Sequence, residues 1–152
     1  YNYLIPCNLY GEYDKFGAIE GHFVGALIEK ILQAKKLGKN HITLFGDGTP
    51  KRQFMHARDL AKIIKFSLKK NILKPFNVAT NENYSVKKIS QIALNACDFK
   101  NAKIIFDKKM PNGQMRKDID ISRFKKFFPD FQSIKLFDGI REVYKKRIKE
   151  KN

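Results

Sequence analysis

The segment Leu44-Phe45-Gly46-Asp47-Gly48-Thr49-Pro50-Lys51-Arg52-Gln53-Phe54-Met55-His56-Ala57-Arg58-Asp59 constrains this chain more than any other. Ile42–Phe45 alternates as a strand, and Gly46-Asp47-Gly48 is a turn whose two glycines permit positive backbone dihedrals. Gln53–His56 returns as a second short strand, so the turn reads as a hairpin. Asp59 can then cap a helix over Leu60–Lys70. This order presents Arg52 just past the turn on a fixed platform, where its planar fork can take a phosphate through two hydrogen bonds. A diphosphate is the first ligand class it indicates.

The rest of the chain repeats the alternation of short strands and helices. Tyr1–Pro6 is apolar, with a strand at Tyr3-Leu4-Ile5 and no preceding cap or turn, so the chain reads as beginning in mid-fold, as the C-terminal part of a longer protein. Asn8–Gly21 is a polar loop long enough to be functional. From His22 to about Leu37, Phe23, Val24, Leu27, Ile28, Ile31 and Leu32 share one helical face, and Gly38 supplies the stop. The helix from Leu60 is expected to bury Leu60, Ile63, Ile64 and Leu68. Pro75–Val78 is a strand, Ser85 caps a helix from Val86 to about Ala96, and Lys103–Phe106 is another strand. Pro111-Asn112-Gly113 marks a turn in the Asp107–Lys117 loop. A short helix follows Ser122, and Ser133 opens a final helix with Leu136, Ile140, Val143 and Ile148 inward. The pattern indicates a single α/β domain over residues 1–152.

Composition excludes several classes. With 43% hydrophobic residues among 152, the chain can build a core. It lacks an apolar run of the ~18 residues a membrane span needs, and a soluble, cytoplasmic protein is expected. Cys7 and Cys97 have no disulfide or metal-site spacing and read as buried, reduced thiols. The 31 Lys and Arg against 15 Asp and Glu could mark a polyanion binder. However, 25 of these are Lys and only 6 are Arg, and they fall mostly in helical stretches such as Lys145-Lys146-Arg147, as solvated faces do.

Four segments in order resemble the C-terminal half of the extended short-chain dehydrogenase/reductases, specifically the GDP-L-fucose synthase group. Pro6-Cys7-Asn8-Leu9-Tyr10-Gly11, with Asp14 and Phe16, is similar to that group's Pro-Thr-Asn-Leu-Tyr-Gly loop. Gly21-His22 precedes Ala26-Leu27-Ile28 on a helix. The opening segment resembles its Trp-Gly-Ser-Gly-Thr-Pro pattern ending in Arg. Pro111-Asn112-Gly113 with Arg116, Lys117 and Asp120 resembles its Pro-Asp-Gly-Thr-Pro-Arg-Lys loop.

The resemblance implies the end of a Rossmann-type sheet plus a small α/β substrate-binding domain, the NADP-binding half lying before residue 1. It implies that Pro6, Asn8, Leu9 and His22 adjoin NADP(H), and that Asn8, Phe23, Lys30, Phe45 and Arg52 contact a GDP-sugar, with Arg52 and Lys30 at its diphosphate. His22 aligns with the group's epimerisation acid, a task imidazole suits near neutral pH. A homodimer in surface-polysaccharide sugar synthesis is also implied, with no metal, nucleic acid or membrane. Glu12-Tyr13 replace the group's Pro-His and Met110 its Lys, which implies a sugar other than the usual 4-keto-6-deoxy hexose, such as the corresponding heptose. Two alternatives stay open: a relative using UDP or dTDP sugars, and a basic polyanion- or nucleic-acid-binding module. Tyr84-Ser85-Val86-Lys87-Lys88 fits the family's Tyr-x-x-x-Lys only by accident, because it leads into the Ser85 cap.

Overall fold

A computed structural model describes residues 3–151; Tyr1 and Asn2, just before the first expected strand, lie outside them. That strand is β1 (Leu4–Pro6), which pairs in parallel with β6 (Phe76–Val78). The expected loop after it begins as a strand, because Asn8–Tyr10 (β2) pairs in parallel with β5 (Phe54–His56), Asn8 opposite Phe54. Helix α1 (Phe23–Lys36) buries Val24, Leu27, Ile28 and Ile31 as its periodicity requires. It ends in a Schellman turn: Gly38 has φ 62°, its N–H donates to the Lys35 carbonyl, and Lys39 N–H donates to that of Ala34.

The glycine turn does not close a hairpin. Strand β3 (His41–Phe45) pairs in parallel with β8 (Lys103–Asp107), while β4 (Lys51–Arg52) pairs antiparallel with β7 (Tyr84–Ser85). The turn carries the chain from one sheet to another. Gly46 (φ 78°) is required there twice over, since a Cβ on it would lie 2.1 Å from Asn112 Oδ1. That same oxygen accepts from Asp47 N–H at 2.8 Å, which pins the 111–113 turn over the glycine turn.

Helix α2 (Ala57–Lys69) starts earlier than expected. His56, not Asp59, is its cap: the imidazole Nδ1 accepts from Arg58 N–H at 3.2 Å. Asp59 is wholly buried within the first turn, where Oδ2 accepts from Ile134 N–H at 2.6 Å and Oδ1 pairs with Lys62 at 3.2 Å. The helix buries the narrow stripe Asp59, Ile63 and Ser67, so Ile64 and Leu68 stay exposed, contrary to the expectation from periodicity.

Ser85 caps α3 (Val86–Ala96) by accepting from Lys88 N–H. The short α4 (Ser122–Phe127) and α5 (Leu136–Lys151) complete the chain, with α5 beginning three residues past Ser133. Two cores result. Helices α1, α3 and α5 close one with β3; β5, β6, α2 and the phenylalanines of α4 form the other, where Phe76 stacks on Phe124 at 6.4 Å. A cleft opens where β2 and β5 meet α1.

Candidate functional site

The eight residues singled out in the sequence, Pro6, Asn8, Leu9, His22, Phe23, Lys30, Phe45 and Arg52, all line one cleft of about 1040 Å³. They come from five elements and one loop end, and local sequence spacing cannot bring them together. Pro6, Asn8 and Leu9 lie where the chain passes from β1 into β2; the Asn8 side-chain N–H donates to the Gln53 carbonyl at 2.9 Å. Buried Gln53 in turn donates to the Thr80 carbonyl and accepts from Ile119 N–H, each at 3.0 Å. The cleft floor is therefore tied to three distant segments.

One end of the cleft is cationic. Arg52 is half-buried on β4, and its hydrogen bond among the described residues is to the Lys51 carbonyl at 2.7 Å. Lys30 reaches from α1 to the Thr43 carbonyl at 3.2 Å and lies 5.7 Å from the centre of the Phe45 ring. Neither cation makes an ion pair among the described residues. Two unpaired cations facing one space suit an anionic ligand. Beside them Phe45 is 58% exposed, large for an aromatic on a strand, while Phe23 is stacked on Phe54 at 5.8 Å and forms fixed wall.

The other end carries imidazole and carboxylates. His22 stands at the N-cap of α1 but makes no capping bond with its side chain; its Nδ1 instead meets Asp14 Oδ1 at 2.7 Å. Glu12 and Arg58 line the cleft nearby. Glu12 lies 3.6 Å from Nε2 of the fully buried His56, and Arg58 pairs with Glu142 of α5. The Glu12 carboxyl is held below its usual value by its own backbone N–H first, then by His56, Arg58 and Lys146, so it is an anion on the cleft wall. Burial pushes the Cys7 thiol up to about 11 and Cys97 up to about 12. Cys7 therefore lines the cleft as an inert thiol rather than a nucleophile.

Sequence reasoning missed the pairing of Asp14 with His22, the acidic wall at Glu12 and the pinning role of Asn112. Asp14 and Asn112 stood inside motifs that were noticed, but a loop contact has no periodicity to announce it. His41 is half-buried at the start of β3. Among the described residues, no group of three or more His, Cys, Asp or Glu could hold a metal ion, and no helix is long and apolar enough to cross a membrane.

Comparison with known proteins finds relatives along the whole of this chain. GDP-L-colitose synthase of Yersinia pseudotuberculosis is 33% identical over all of this chain and 49% of its own length. A GDP-L-fucose synthase of Azorhizobium caulinodans is 36% identical over 80% of this chain and 39% of its own. The crystal structure of a GDP-L-fucose synthetase from Naegleria fowleri bound to NADP superimposes with a TM-score of 0.88 at 26% identity, covering 97% of this chain and 46% of that one. The fold is thus that of the extended reductases, and the chain spans about half the length of the curated relatives it matches. Residues 1–79 match the NAD dependent epimerase/dehydratase family, and with more than half its length so matched the chain belongs to that family.

Proposed function

We propose that this chain is the GDP-sugar-binding portion of an NADPH-dependent reductase or epimerase/reductase of GDP-4-keto-6-deoxy sugars. The observation that carries the reading is the gathering of all eight expected residues on one cleft that is cationic at one end and carries His22 at the other. Arg52 and Lys30 hold the diphosphate, Phe45 covers the nucleotide side, and the sugar extends toward His22. Binding energy from the remote phosphates then orients the reacting carbon.

The residues also fit a nicotinamide cofactor: Pro6 and Leu9 offer flat apolar surface, and Asn8, its amide N–H held by Gln53, keeps its carbonyl oxygen as an acceptor. When bound, the cofactor supplies the hydride for reduction at C4. His22 would exchange a proton with carbons made acidic by the neighbouring keto group. Glu12, where the fucose-synthase group has Pro, adds an acceptor for a further sugar hydroxyl, which supports a substrate other than the usual hexose. The complete protein is proposed to work as a homodimer in the cytoplasm, in surface-polysaccharide sugar synthesis.

Calorimetric titration of the intact protein with GDP, UDP and dTDP tests this reading. GDP should bind tightest, and Arg52→Ala should weaken it roughly 10- to 100-fold, the loss expected for hydrogen bonds to a charged partner. Equal binding of the three nucleotides would favour the UDP- or dTDP-sugar alternative, and an unaffected Arg52→Ala would remove the diphosphate assignment.

A further inference from the structure

Asp14 is the most constrained charge on the cleft. Its carboxylate is only 8% exposed although it sits in a loop, whereas the His22 imidazole it touches is 73% exposed. One oxygen, Oδ1, lies 2.7 Å from His22 Nδ1 and also accepts from Lys15 N–H at 2.8 Å. The other, Oδ2, is buried without a hydrogen bond among the described residues and faces the first turn of α1 beside Gly25. A side chain at Gly25 would sit 2.9 Å from the Lys15 carbonyl and 3.5 Å from Oδ2, so the glycine is what lets the loop close on the helix.

An ionised carboxylate can only accept. The proton of the Asp14–His22 bond is then on Nδ1, and Nε2 is the ring nitrogen left to the cleft. We infer that Asp14 is a positioning residue that fixes His22 in the Nδ1–H tautomer and so presents a bare Nε2 to the ligand. The chemical consequence rests on the reading above. His22 exchanges a proton with an acidic carbon through Nε2 alone, as an imidazolium when it donates and as a bare imidazole nitrogen when it accepts, with Nδ1–H bonded to Asp14 throughout. Without Asp14 the ring can rotate, and part of the population presents the nitrogen already carrying hydrogen.

Long-range proton–nitrogen correlation spectra of the intact ¹⁵N-labelled chain, above about pH 8 where an ordinary histidine is neutral, read this directly. His22 should show a protonated Nδ1 and a bare Nε2 in most molecules. Asp14→Ala should return it to the tautomer mixture of a Gly-His-Phe reference peptide. A His22 that already matches the peptide in the unmodified chain overturns the inference, and so does an Asp14→Ala chain that keeps the Nδ1–H form. The first of these comparisons needs no variant, so a failure of Asp14→Ala to fold does not weaken it. In the complete enzyme, Asp14→Ala should lower kcat for deuterium exchange from solvent into the sugar about tenfold or more with KM held, and should add nothing to His22→Gln. If no GDP-keto-sugar is turned over at all, the functional reading fails while the tautomer result stands.

Discussion

At the scale of the residue, His56 shows how one buried side chain serves two tasks. It caps α2 through Nδ1 and packs edge-on against Tyr10 at 5.2 Å, with no exposed surface. Burial, then the neighbouring Arg58, push its pKa below the ordinary 6.5, against the opposing pull of Glu12, Glu142 and Asp59. A histidine whose folded pKa is depressed takes up its proton more readily in the unfolded chain. Its contribution is therefore intact above about pH 6.5 and is lost as the pH falls below that value. Glu12, also depressed, loses its contribution at still lower pH, as the solution falls through the usual carboxylate range. In His56→Asn the amide oxygen keeps a cap acceptor but does not titrate. Urea unfolding should find it less stable at pH 8 by about 1–3 kcal/mol, from lost packing, with a flatter decline between pH 6.5 and 5. The same acid slope in both proteins would place the titration elsewhere. The cap was not legible in the sequence because Asp59, a far commoner cap, stands three residues on, and only the fold shows that its carboxylate is used by Ile134.

At the scale of the element, that use of Asp59 joins α2 to the segment entering α5. Asp59→Ala would leave the half-buried Ile134 N–H without its acceptor, whereas Asp59→Asn can keep one. Chemical denaturation should show a loss of about 2–4 kcal/mol for the alanine variant and clearly less for the asparagine variant; equal losses would mean that the charge, not the hydrogen bond, matters. Several local signals were legible. The Ser85 cap, the Gly38 stop and the apolar face of α1 each rest on residues within one or two turns. Pairing was not: β3 seeks β8 across the whole of α2 and α3, and the turn that looked like a hairpin joins two sheets. Nothing within the segment 46–48 distinguishes those outcomes, since the deciding contact is Asn112. For the same reason Ile64 and Leu68, correctly placed on a helix, were wrongly buried. A helix resting on two short strands and a loop covers a narrower stripe than one packed between larger layers.

At the scale of the molecule, the formal charge of +16 is the feature that kept a polyanion-binding reading open. Part of the basic surface is engaged in holding the fold. Lys151 and Arg147 of α5 converge on buried Glu29 of α1, and Lys35 bridges the Cys97 carbonyl at 3.1 Å and the Tyr144 hydroxyl at 2.8 Å. Lys146 lies 3.9 Å over the Tyr13 ring. The cations facing the cleft's aromatic end, Lys30 and Arg52, have no carboxylate partner among the described residues and are free to meet a ligand. Anion affinity should therefore be local rather than spread over the surface, and ionic strength separates the two. A binder that neutralises six to ten phosphates loses about 10³- to 10⁵-fold in affinity between 50 and 200 mM salt. GDP held by two cations in one cleft should lose no more than about tenfold over that range. Most of what remains should disappear in Lys30→Ala/Arg52→Ala, while charge reversal at Lys145 and Lys149 should leave GDP affinity nearly unchanged. A steep salt slope that survives the cleft double variant would instead assign the binding to the basic faces of the helices.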